Sequence, residues 1–273
     1  MERKHFQVIF LAVSCLLLLA VIYIKNKNTS SKAVTVKTNQ SETKVDWEYL
    51  KGIYGQDVPE TIAKLDSLFV SQNMQKSDTV YLADAIKFFD KNNFRLPAAR
   101  FSVILAEVSN SNENWFAAAE KLYFNAINER DSLVRAFLMR ETMRSCDAII
   151  KKDSQNKEAI LFKGLALVDQ RSTMMEGVPL LLSVVRKDEN NIPANYALGL
   201  LAVESGQFEK ALLRFEKLVS LQPLNSEYQF QCAKAHETLG NKEKALQHYQ
   251  KSMELVSDER DKEILKNIIN GLK

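Results

Sequence analysis

From Asp46 onward, apolar residues recur at intervals of three and four, and no stretch alternates apolar with polar side chains long enough to predict a strand. The spacing predicts helices over 58–72, 78–91, 96–108, 113–128, 131–152, 157–169, 174–187, 193–205, 208–221, 226–239, 242–255 and 258–270. Chain breakers fall between them. Pro59 opens the first, and Asn92-Asn93, Asn190-Asn191, Gly206 and Gly240 separate later pairs.

The N-terminal pattern is different. Phe6 to Ile24 reads FQVIFLAVSCLLLLAVIYI, with no charged side chain and only Gln7 and Ser14 clearly polar. As a helix it would span about 28 Å, close to the hydrocarbon thickness of roughly 30 Å. A backbone in lipid must satisfy its own hydrogen bonds, and Tyr23 suits the interface. The run continues past Ala20 without an A-x-A cleavage pattern, which argues for an anchor rather than a cleaved signal. Leu11 to Cys15 faintly resembles a lipobox, but processing there would leave the apolar stretch Leu16 to Ile24 at the new terminus. The expectation is therefore a tail over 1–5, a single transmembrane helix over 6–24 and a solvated Lys/Ser/Thr/Asn linker over 25–45. A short basic N-terminus usually stays inside, which would place the domain on the periplasmic side of a bacterial inner membrane. Lys25, Lys27, Lys32 and Lys37 on the other flank argue for a cytoplasmic domain, so both placements stay open.

The second half of the chain repeats itself. With 192–225 set over 226–258, Gly206 falls on Gly240, Ala211 on Ala245, Phe215 on Tyr249, Gly199 on Ala233, and Glu209-Lys210 on Glu243-Lys244. All five coincidences share one register, a period of 34 residues. These residues resemble the tetratricopeptide repeat family, which has a small residue at repeat position 8, Ala at 20, an aromatic at 24 and Pro at 32. Residues 192–225 supply Gly199, Ala211, Phe215 and Pro223 there. A third unit is legible over 157–191, with Gly164 at position 8 and Gly177 at position 20, although Glu189 replaces the proline. Upstream the match decays. Trp115, Ala118 and Ala119 could open a lengthened repeat closing near Asn156, and Ala99 and Ala106 could lie in the second helix of another.

The resemblance implies an all-α superhelix of helix-turn-helix modules, with degenerate repeats over 46–156, clearer ones over 157–258 and a polar capping helix over 259–273. It also implies that positions 2, 5, 9 and 12 of each repeat face a concave groove. Those positions hold Glu158, Leu161, Leu165 and Val168, then Pro193, Tyr196, Leu200 and Val203, then Glu227, Phe230, Lys234 and Glu237. The expected partner-binding groove is thus Leu161, Leu165, Val168, Tyr196, Leu200, Val203 and Phe230, with Lys234 beside them. Such a strip suits a protein partner offering an apolar helix or an extended segment. Filling of the groove by the N-terminal helices, or pairing of two copies there, is the alternative. A familiar variant of the family grips a C-terminal carboxylate with Lys and Asn. Leu161, Leu165, Tyr196 and Leu200 stand at those positions here, a departure that argues against such a clamp.

Composition narrows the choices. Only 8 Gly and 5 Pro agree with helices joined by short loops, and 46% apolar residues suffice for a core. A net charge of +3 carries no concentrated basic face, so nucleic acid is not an expected partner. Cys15, Cys146 and Cys232 lie too far apart for a disulfide framework or zinc ribbon. No phosphate-binding glycine loop, G-x-S-x-G or H-E-x-x-H occurs. Cys232 and His236 have the four-residue spacing of two ligands on one helix face, but they fall at packing positions with no further ligand expected nearby; His248 is expected at the surface and His5 among lipid headgroups. The sequence thus predicts no catalytic, cofactor or metal residues. It predicts a membrane-anchored scaffold, with a self-associating structural protein or an accessory subunit of an enzyme complex as alternatives.

Overall fold

The structure, a computed structural model, describes residues 45–46, 49, 52, 68, 74–75 and 78–272. The apolar run 6–24, nearly all of the linker 25–45 and the helix expected over 58–72 lie outside the described residues, apart from Val45 and Leu68. Among the described residues there are helices and no strands, and no helix is long and apolar enough to cross a membrane.

Among the described residues eleven helices follow one another: α1 (Thr79–Lys91), α2 (Arg95–Ser109), α3 (Asn112–Ile127), α4 (Ser132–Ile150), α5 (Lys157–Asp169), α6 (Met174–Lys187), α7 (Ile192–Glu204), α8 (Phe208–Leu221), α9 (Ser226–Thr238), α10 (Lys242–Leu255) and α11 (Glu259–Leu272). They pack as successive hairpins, α1 with α2, α3 with α4, and so on to α9 with α10, and α11 lies against α10. The first helices of neighbouring hairpins also touch, α3 with α5 and α5 with α7, so they share one side of the stack. The insertion expected upstream of Asn156 is accommodated by α4, with 19 residues the longest of the described helices.

Side-chain caps fix the starts of α3, α4, α5, α7 and α9. Asn156, Asn191 and Asn225 precede α5, α7 and α9. Each side-chain oxygen accepts a hydrogen bond from the backbone N–H three residues on, at 3.0, 3.1 and 3.1 Å. Ser111 and Asp131 do the same for α3 and α4. The turns after α7 and α9 need left-handed backbone: Gly206 has φ 73° and Gly240 φ 78°. The next residue in each donates back into the helix, Gln207 to Ala202 at 2.8 Å and Asn241 to His236 at 2.9 Å.

The core is serial, as a stack requires. One cluster joins α1 and α2 around Leu82, Phe89 and Phe101, and the largest runs from α2 to α5 through Trp115, Leu122, Leu138 and Ile149. Three more join α5–α7, α7–α9 and α9–α11. The repeat positions explain the close approaches. An added Cβ on Gly199 would lie 2.7 Å from the Phe215 ring, so the glycine makes the seat for the aromatic of its own hairpin. An added Cβ on Gly177 would lie 2.7 Å from the Gly164 carbonyl oxygen, so α5 and α6 meet backbone to backbone. Ala99, Ala106, Trp115, Ala118 and Ala119 are all buried, in α2 and α3. The last helix, α11, buries Leu265 and Ile269 and leaves Glu259, Arg260 and Lys266 exposed.

A candidate protein-binding groove

The residues expected in the groove fall on three successive first helices: Leu161, Leu165 and Val168 on α5, Tyr196, Leu200 and Val203 on α7, and Phe230 and Lys234 on α9. Their exposure corrects the expected extent of the strip. Leu161 and Leu165 are each only 8% exposed and belong to the core cluster of α5–α7, against which Tyr123 of α3 also packs. They hold the stack together and offer little contact area. Val168, Tyr196, Leu200, Val203, Phe230 and Lys234 are half-buried, so the open part of the face runs from α7 to α9 and touches α5 only at Val168.

Polar groups tie the α7–α9 part of this face. The Tyr196 hydroxyl donates to Glu227 Oε1 at 2.9 Å, and Gln231 Nε2 donates to the same oxygen at 2.8 Å. Tyr196 and Tyr228 rest ring on ring with centroids 5.6 Å apart. Burial, reinforced by the Glu227 carboxylate, pushes the Tyr196 phenol well above its ordinary range. The Lys234 ammonium lies 5.5 Å over the Phe230 ring. Burial lowers the Lys234 pKa, and Glu227 and Glu237 work against that shift.

A cleft of about 230 Å³ opens in this part of the face, lined by Val203, Phe208, Gln231, Lys234, Ala235 and Thr238. Two of the expected residues, Val203 and Lys234, form its walls. The other four were not expected there. Phe208 begins the second helix of its repeat, and Gln231, Ala235 and Thr238 neighbour the groove positions on α9. A larger cleft, about 430 Å³, lies where α1, α2 and α3 meet, and several of its polar groups are already paired. Lys121 Nζ reaches Asp90 Oδ1 at 2.7 Å, and Asn125 donates to the Arg95 carbonyl at 3.0 Å.

His248 departs from the surface placement expected for it. It is half-buried, its ring stacks on that of His236 with centroids 5.5 Å apart, and its Nε2 is 3.6 Å from Cys232 Sγ. Cys232 and His236 are buried at packing positions, as their repeat register implies. Burial lowers the pKa of both histidines and pushes the Cys232 thiol up to about 12, so all three are neutral near pH 7.

Comparison with known proteins bears on the fold. Residues 196–258 match the tetratricopeptide repeat family model. Among solved structures, MamA from residue 41 to its end, of Desulfovibrio magneticus RS-1, superposes with a TM-score of 0.53 at 20% identity over 65% of this chain and 94% of that one. A double mutant of the RS-1 MamA gives 0.50 at 22% identity over 65% and 94%. Another MamA crystal structure gives 0.50 at 18% identity over 67% and 96%. No curated protein matches the chain.

Proposed function

We propose that this tetratricopeptide-repeat chain is a membrane-anchored scaffold that binds a partner protein through the α7–α9 part of its inner face. The observation that carries the reading is the cleft bounded by Val203, Phe208 and Ala235, with the cation of Lys234 at its edge. Apolar walls with a few oriented polar groups suit the apolar side of a helix or an extended segment. Residues 6–24 supply the anchor in a bacterial inner membrane, and the repeats stand on its periplasmic side. The hydrophobicity and length of that run support the first statement, and the short basic N-terminus supports the second.

Site-specific photocrosslinking in cells tests the groove. A photoreactive residue at 203 should yield defined crosslinked partners, and one at 213, where Leu213 is 67% exposed on α8, should not. Equal crosslinking from both positions refutes the groove reading. A crosslinked species of twice the chain mass identifies a second copy as the occupant. Reporters active only outside or only inside the inner membrane, fused after Lys273, decide the sidedness.

A further inference from the structure

Cys232, His236 and His248 form a cluster of donor atoms distinct from the groove cleft. One ligand atom from each lies within 4.8 Å of the other two. Two come from α9 and one from α10, so the cluster sits inside the last hairpin. The Cys232 Sγ to His248 Nε2 distance is 3.6 Å. Zinc–sulfur and zinc–nitrogen bonds of about 2.3 and 2.05 Å at a tetrahedral angle put their ligand atoms about 3.6 Å apart. The widest pair would close by up to about 1.5 Å, within reach of side-chain torsions.

The second observation is an orphan. His236 is 1% exposed, and its buried Nε2 has no hydrogen-bond partner. A buried imidazole nitrogen with nothing to bond costs free energy unless something else meets it. The nearest acid is Glu216 of α8, whose Oε1 stands 3.6 Å from that nitrogen and whose side chain reaches the surface. The third observation concerns orientation. Gln229 Oε1 lies 2.7 Å from His248 Nδ1, so Nδ1–H donates to it and the Nε2 lone pair is left facing Cys232. Asn241 Nδ2 is 3.5 Å from His236 Nδ1, and turning that amide presents its oxygen to an Nδ1–H in the same way. Metal-binding histidines are commonly held by such partners.

We propose that Cys232, His236 and His248, with Glu216 as the fourth ligand, hold one divalent ion of the zinc class. The set of one thiolate, two imidazoles and a carboxylate suits a borderline-soft tetrahedral ion and is poorly suited to magnesium or calcium. Binding breaks the Cys232 S–H bond and releases that proton to solvent as the sulfur–metal bond forms. With ligands on α8, α9 and α10, the ion ties the last two hairpins together. Lys244 of α10 is the cation whose charge acts on all three residues. It is exposed, so its ammonium has room to turn toward solvent.

The test is cobalt(II) titration of the full-length chain in detergent, after chelator treatment. One equivalent should produce the visible bands of tetrahedral cobalt and a thiolate-to-cobalt charge-transfer band, and zinc should displace both. Cys232→Ser should abolish the charge-transfer band, His248→Gln should weaken cobalt binding at least tenfold, and Cys146→Ser should change neither. If Cys232→Ser loses its helical circular dichroism, His248→Gln at its half-buried position decides the matter alone. Absence of the charge-transfer band in the parent chain overturns the proposal. So does its survival in folded Cys232→Ser, which would assign it to Cys15 or Cys146, and so does unweakened binding by His248→Gln.

Discussion

Replacing Gly177 by alanine tests whether α5 and α6 are in backbone contact. The new Cβ would stand 2.7 Å from the Gly164 carbonyl oxygen, 2.7 Å from Val168 Cγ1 and 2.9 Å from Leu167 Cβ. Neither the carbonyl nor a Cβ moves with a side-chain rotation, so relief requires the two helices to separate. Alanine favours a helix over glycine by about 1 kcal/mol. Forcing a methyl into a filled contact costs about 1–3 kcal/mol, and an obstacle in the main chain places this case at the upper end. The expected net loss is about 1–2 kcal/mol. Gly164→Ala makes the contrast, because it meets mainly the movable tip of Leu181, with Cδ2 at 2.9 Å and Cγ at 3.1 Å. Its two terms nearly cancel, for a net change of less than about 1 kcal/mol. Gly271 has nothing within 4 Å, so Gly271→Ala should be neutral or stabilising by up to about 1 kcal/mol. Urea unfolding followed by circular dichroism ranks the three. Hydrogen exchange read by mass spectrometry locates the damage, which should fall on α5 and α6 and spare α9–α11, because coupling in a stack is between neighbours. If Gly177→Ala unfolds at the same urea concentration as Gly271→Ala, the backbone-contact argument is wrong.

Other outcomes follow from particular contacts. Phe215→Ala removes a fully buried ring seated on Gly199 and should cost about 3–5 kcal/mol in urea unfolding, with α7 and α8 exchanging first. Gly206→Ala should cost about 1–2 kcal/mol in the same assay through backbone strain alone, since φ is 73° and no atom lies near the added carbon. The Arg135–Asp169 ion pair joins α4 to α5 at a partly exposed site, so Arg135→Gln should lose less than about 1 kcal/mol, and the difference should shrink in high salt.

The helices were legible because several, α1, α6, α8 and α11 among them, carry an apolar stripe, and breakers such as Gly206 and Gly240 mark the turns between others. The expected bounds 157–169, 174–187, 208–221 and 242–255 coincide with α5, α6, α8 and α10, the other described helices differ from expectation by one or two residues at one or both ends, and 58–72 lies outside the described residues. The exposure of the candidate groove residues was legible only in part, for a physical reason. Repeat position tells which way a side chain points, whereas its exposure depends on what the neighbouring hairpin brings. Leu161 and Leu165 lie on a first helix as expected, but both are buried in a cluster against which Tyr123 packs from α3, in the stretch where the repeat pattern decays. His248 was misplaced for a related reason. Its position taken alone reads as surface, yet the facing helix supplies Gln229, Cys232 and His236, polar partners that make burial tolerable. The caps at Asn156 and Asn225 were missed because a single asparagine between helices looks like any loop residue until its oxygen is seen to accept a backbone N–H.

The asparagine caps also bear on how such a chain can lengthen. Asn191 and Asn225 close equivalent turns, so the segment 192–225 begins after one cap and ends on the next. A tandem duplication of that segment would give the copied first helix a starting cap from the original and hand its own final cap on to α9. Both junctions would be native turns, and unequal recombination at those borders could add a hairpin without designing a new loop.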